Sequence, residues 1–234
     1  MGDPRWLDLA ARQYEVATRI GDRHALAWAI NAAGVGHMYR GEFEPAITCF
    51  EKACAAYEAI PDYRFLAGAL ARRAHCLALR GEVALALPLL ERSRALVANH
   101  PVSGMSATAP VICAAEAWLC CVEMSQDASA KKRLLGLAGQ ACARATRHGR
   151  RVRDESAAEA LRLHGIHAFL SGDAGGAERY WTRGLALARN MGAMRVLALI
   201  HHELGSRFGD RSHAEAASAL LIATGSGVLT AIQR

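Results

Sequence analysis

Histidines and cysteines are the side chains whose types and spacing come nearest to chemistry in this 234-residue chain. His164 and His167 stand three apart, so on a helix they share a face and could hold zinc between them. No acidic or cysteine side chain recurs nearby at a matching spacing, and the pair reads as structural instead. His201-His202-Glu203 departs from the His-Glu-x-x-His helix of metalloproteases, because adjacent residues diverge by about 100° and cannot grip one ion. His75-Cys76 is also adjacent, which misaligns imidazole and thiol for thiolate activation. The seven cysteines are Cys49, Cys54, Cys76, Cys113, Cys120, Cys121 and Cys142. They form no Cys-x-x-Cys and sit among Ala and Leu, as reduced, buried thiols do. Gly34-x-Gly36 falls inside a helical stretch, and the chain has no Gly-x-x-x-x-Gly-Lys-[Ser/Thr] phosphate loop. The expectation is a non-enzymatic chain with no metal and no cofactor.

The elements that position these residues are written by a repeating frame. A glycine is followed five residues later by an alanine at Gly41/Ala46, Gly81/Ala86, Gly172/Ala177 and Gly209/Ala214. Seven residues before each glycine stands Gly34, Ala74, Gly165 or His202, and four past each alanine comes Phe50, Leu90, Trp181 or Ser218. A small residue where two helices meet, a turn glycine, a second small residue and a large plug together spell an antiparallel helix pair. Recurrence about every 40 residues means stacked hairpins. The helical period predicts helices near 5–20, 24–40, 43–59, 64–80, 83–98, 106–124, 127–148, 154–171, 174–190, 193–208 and 212–224. Grouped, they give one all-α domain over 1–234. It holds an unpaired first helix within 1–22 and five hairpins over 23–61, 62–101, 106–150, 154–190 and 193–224. The stretch Ala98 to Ser106, with Pro101, Ser103 and Gly104, is the expected kink, and a short tail follows Gly225-Ser226-Gly227.

The frame resembles the tetratricopeptide repeat. The copy Ala27 to Ala59 matches at Gly34, Gly41, Ala46, Phe50 and Ala53, with His37 where that family usually has tyrosine. The copy from Ala158 matches at Gly165, Gly172, Ala177 and Trp181. The copy from Ala67 keeps Ala74, Gly81, Ala86 and Leu90 but has Ser93 for the late alanine, and in the last copy His202 replaces the early glycine. A degenerate copy between Arg94 and Arg153 has Gln126 and Lys131 at small-residue positions. With a period above the usual 34 or so, and with the phrase Arg19-Ile20-Gly21-Asp22-Arg23, the chain is similar to the long-repeat segments of bacterial LuxR-type, ATPase-linked and cyclase-fusion regulators.

That resemblance implies a right-handed α-α superhelix, or solenoid, whose concave groove is lined by the first helix of each hairpin. Carried position by position, the groove presents Trp28, Asn31, Val35, Met38 and Tyr39, then His75 and Leu79, then Glu159, Arg162, Ile166 and Phe169, then Glu203 and Ser206. Val35 and Ala71 occupy places where the carboxylate-clamp subfamily has lysine or asparagine, so that activity does not carry over. The implied function is a scaffold binding a protein or peptide in a bacterial signalling or transcription-control system. The alternative is an effector sensor for a small molecule or signal peptide. Residues 5–20 read as a second helix without a first. Their apolar stripe, with Trp6, Leu9, Ala10, Tyr14, Ala17 and Ile20 at helical spacing, is the expected contact for an upstream domain or a second copy.

The formal charge is +6, densest at Arg144, Arg147, His148, Arg150, Arg151 and Arg153. Cations at a helix C-terminus match its macrodipole, and no aromatic residues interleave for base stacking, so a nucleic-acid partner is not expected. The most apolar stretch, Thr108 to Val122, is shorter than the roughly 18 residues a membrane span needs and contains Pro110 and Glu116. With no charged-then-apolar leader at its start, the chain is expected to be cytoplasmic and off the membrane.

Overall fold

The computed structural model describes residues 5–100 and 104–224, and these are all-α, with no strand among them. Eleven α-helices occur among the described residues: α1 (Arg5–Ile20), α2 (Arg23–Tyr39), α3 (Phe43–Ala59), α4 (Tyr63–Leu79), α5 (Val83–Asn99), α6 (Ala114–Met124), α7 (Ala128–Val152), α8 (Ser156–Leu170), α9 (Ala174–Met191), α10 (Met194–Phe208) and α11 (Arg211–Thr224). They divide into two compact units, with the boundary inside α6 after Ala117. In the first unit α1 packs on α2, α2 on α3, α3 on α4 and α4 on α5. In the second, α7 packs on α8, α8 on α9, α9 on α10 and α10 on α11. The expected tail after 224, and residues 101–103 of the expected kink, lie outside the described residues.

Turn chemistry fixes the helix starts. In the pairs Gly21-Asp22, Gly172-Asp173 and Gly209-Asp210 the glycine takes the left-handed conformation (φ 71°, 86° and 70°) that ends one helix. The aspartate then accepts from the first-turn amides of the next: Asp22 from Ala25 N at 3.0 Å, Asp173 from Gly176 N at 2.7 Å, Asp210 from Ser212 N at 2.9 Å. One expected helix differs. Residues 106–124 do not run as one α-helix: a 3₁₀ turn over Gly104–Ala107 and a widened π turn over Ala109–Cys113 precede α6. Pro110 has no N–H to give and its ring crowds the preceding turn, so the ladder opens there.

Packing follows the frame through its plugs. Phe50, Leu90 and Trp181 are fully buried, as are Ala46, Ala86 and Ala177. A Cβ at Gly34 would lie 2.8 Å from the Phe50 ring, and one at Gly165 would lie 2.1 Å from Trp181 Nε1. The α2, α3 and α4 core gathers Ala27, Ala53, Cys54, Tyr57, Leu66, Ala69 and Leu70. Ser93, at the late-alanine position, is buried and donates its hydroxyl to Ala67 O at 2.8 Å, so its polarity is satisfied. The last copy shifts register. Its close helix approach is at Gly205, where a Cβ would meet Ala214 N at 2.7 Å, three residues past His202, and Ser218 is exposed. Among the described residues no helix is long and apolar enough to cross a membrane.

Candidate functional site

The histidine pairs are held by other contacts. On α8, His164 stacks on Tyr180 with centroids 5.1 Å apart, while His167 Nε2 lies 3.2 Å from Leu135 O. His75 Nδ1 is 3.6 Å from a Glu116 carboxylate oxygen. His201, on α10, meets a residue that sequence spacing did not point to: its Nδ1 lies 2.6 Å from His213 Nδ1 on α11. No group of three or more histidine, cysteine or acidic side chains is placed to hold a metal among the described residues. None of the seven cysteines is in a disulfide. Burial pushes the Cys54, Cys121 and Cys142 thiols up to about 12 and the Cys76 thiol higher still, so these sulfurs stay protonated and are poor nucleophiles.

In the second unit an ionic network occupies the first-helix faces. Arg162 donates from Nε and Nη2 to Glu159 Oε1 at 3.1 and 2.8 Å, and from Nη1 to Glu203 Oε1 at 3.1 Å. Glu203 Oε2 accepts from Arg207 Nε at 2.7 Å, and Arg207 reaches Glu123 on α6 at 2.6 Å. Arg195 lies 3.7 Å from the second Glu159 oxygen. Arg162, Glu159 and Glu203 are buried. With both charges paired and walled off from water, this is a structural clamp between α8 and α10. Arg207 also sits 5.1 Å over the Phe169 ring, which meets Phe208 edge-on at 5.9 Å.

The thirteen groove residues therefore occupy different depths. Val35, Met38, His75, Glu159, Arg162, Ile166 and Glu203 are buried, Asn31, Tyr39, Leu79 and Phe169 are half-buried, and Ser206 is exposed. Asn31 Oδ1 accepts from Arg72 Nη1 at 3.4 Å. Trp28 stands out at 42% exposed. Its indole packs on Phe65 (5.5 Å between centroids) and meets His24 edge-on at 6.5 Å. His24 in turn borders a depression of about 460 Å³ walled by Ile60, Pro61, Asp62, Tyr63, Arg64 and His100, with Tyr63 stacked on His100 at 4.2 Å. This aromatic edge, built from the start of α2, the α3–α4 turn and the residue after α5, is the candidate site. Its signal in the sequence was His24 four residues before Trp28, one turn apart on one face. The arrival of Tyr63 and His100 beside them is a tertiary event that no local spacing encodes.

On α1, Ala10 and Ala17 are buried, and Trp6 Nε1 donates to Ala32 O at 2.7 Å, seating the indole on α2. Leu9 and Tyr14 are exposed, at 59% and 46%, together with Val16 and Ile20. No protein-family model matches the chain, and neither does any curated protein.

The second unit should be acid-sensitive. Burial lowers the pKa of His148, His164, His201 and His202. His167 lowers His164 further, and His213 and Arg189 lower His201 further. A histidine depressed in the folded state binds protons more readily when unfolded. Its stabilising contribution is thus intact above the ordinary value of 6.5 and lost as pH falls below it toward the folded value. We expect faster amide exchange in α8 and α10, corrected for intrinsic rates, at pH 5.5 than at 7.5, and a lower Tm. Equal protection at the two pH values would contradict the burial argument.

Proposed function

We propose that the chain is a tetratricopeptide-like, non-enzymatic scaffold that binds a protein or peptide segment, with the aromatic edge around Trp28 as its anchor point. The observation that carries this is Trp28 itself: a large indole left 42% exposed yet packed on Phe65 and His24. A half-exposed aromatic beside a concavity is the type of residue that supplies most of the binding energy in an interface. The half-buried Asn31, one turn along α2, adds polar capacity, which suits an amphipathic helix or an extended segment. The long-repeat resemblance is the support for a setting in a bacterial signalling or transcription-control assembly.

The neighbouring depression favours a second reading, an effector sensor. Its 460 Å³ falls within the range of small-molecule sites, and His24, Asp62, Arg64 and His100 supply the polar lining. Peptides selected from a random library on the wild-type protein separate the two. If the scaffold reading holds, Trp28→Ala weakens the selected peptides at least about tenfold, a hot-spot loss of roughly 1.4 kcal/mol or more, while helicity stays the same. Peptides that bind Trp28→Ala as tightly as wild type would remove the anchor. A panel metabolite whose thermal shift depends on Arg64 and His100 would favour the sensor.

A further inference from the structure

The net positive charge of the molecule lies on one helix. α7 carries Lys131, Lys132, Arg133, Arg144, Arg147, Arg150 and Arg151 and no aspartate or glutamate. Against a formal +6 for the chain, those seven leave everything else one unit negative. All seven are exposed, and none makes an ion pair among the described residues. Several arginines elsewhere are paired across helices: Arg73 with Glu51 at 2.9 Å, Arg92 with Glu58 at 2.6 Å and Arg162 with Glu203 at 3.1 Å.

The helix macrodipole accounts for only half of this pattern. It favours Arg150 and Arg151 in the last turn, but it gives nothing to Lys131, Lys132 and Arg133 near the opposite, positive end. At 100° per residue, Arg133, Arg144, Arg147 and Arg151 fall within about 60° of one another, opposite the buried stripe of Leu134, Ala138, Cys142 and Ala145. From Arg133 to Arg151 that line runs about 27 Å at 1.5 Å per residue. Between its two clusters the outer face holds Gly136 and Gln140, both exposed. It has no aromatic side chain to act as a protein hot spot, to insert into a lipid surface or to stack on an unpaired base, and its one large apolar side chain, Leu137 at the edge of the face, is half-buried.

We infer that the outer face of α7 is a docking surface for the phosphate backbone of double-stranded DNA, bound without sequence preference. A duplex is a rigid, linear polyanion with a charge about every 1.7 Å, and it complements a straight row of cations. Unpaired guanidiniums grip phosphates bidentately. Contacts to phosphates position a protein on a duplex and carry no sequence information, so binding of this kind does not depend on sequence. This surface belongs to the second unit and is independent of the Trp28 edge.

The test is fluorescence polarisation with a mixed-sequence duplex of about two helical turns, titrated over salt. The expected result is binding at low salt whose log–log slope against salt is steep. Arg144→Gln/Arg147→Gln/Arg150→Gln/Arg151→Gln should flatten that slope by about 3–4 and weaken binding about tenfold or more. Arg133→Gln, the cation of this face at the other end of the helix, gives an independent reading, with circular dichroism confirming that each variant is folded. The control Arg12→Gln/Arg19→Gln/Arg23→Gln/Lys52→Gln removes the same charge elsewhere. Equal loss in that control would show a net-charge effect and overturn the surface. So would no salt-dependent binding at low salt, or displacement by polyglutamate as readily as by unlabelled duplex, which would indicate an acidic protein partner.

Discussion

Gly165→Ala is expected to destabilise the second unit by about 3 kcal/mol, the upper end of the overpacking range, even though alanine is the better helix former by about 1 kcal/mol. The sign is decided by space. A Cβ at position 165 would stand 2.1 Å from Trp181 Nε1 and 2.5 Å from two further indole atoms. That indole cannot retreat, because it is fully buried and donates to Arg162 O at 3.0 Å. Gly136 is the matched control. It is also helical, is exposed, and has nothing within 4 Å of the point where a methyl group would stand, so Gly136→Ala should gain roughly 0.5–1 kcal/mol. Chemical denaturation of both variants checks the pair. Stabilisation by Gly165→Ala would mean that α8 and α9 do not cross at this glycine.

Arg162→Met should cost about 3–5 kcal/mol, because it strands carboxylates in a place water does not reach. Glu159 Oε1 would lose both of its donors and keep only Arg195, 3.7 Å from the other oxygen. Glu203 would retain Arg207 at 2.7 Å, so Glu159 is the group left exposed to the full penalty. The double variant Arg162→Met/Glu159→Met should therefore be more stable than Arg162→Met alone, since an apolar pair of similar size removes the stranded charge. A double variant no better than the single one would locate the cost in lost packing and not in charge.

Much of the fold was legible because its punctuation is local. Gly-Asp turns and the Gly/Ala frame state where a helix stops, where the next starts and which residue plugs the crossing, and Phe50, Leu90 and Trp181 are buried where the frame puts them. Residues 106–124 were expected to run as one helix, and the widening of the ladder at Pro110 was not foreseen. His202 hid the last crossing, because the small residue that makes it, Gly205, sits one turn later. The candidate site was legible only as a helix face. Periodicity says that Trp28, Val35 and Arg162 lie on first helices; it does not say how deep each ends up. Arg162 is buried by carboxylates 3 and 41 residues away in the chain, and Trp28 acquires its setting from Phe65, on a different helix. Depth is a property of pairs of elements, and the spacing within one element does not contain it.

The thiols give the molecule a built-in stopwatch. Cys54 and Cys76 lie in the first unit, Cys121 and Cys142 in the second, and all four are shut away as protonated sulfur. An alkylating reagent meets them only when the helices around them part, so each labelled cysteine time-stamps the opening of its own surroundings. Mass spectrometry of a pulse-labelled sample would then read the breathing of the two units side by side, from one native chain with no residue replaced.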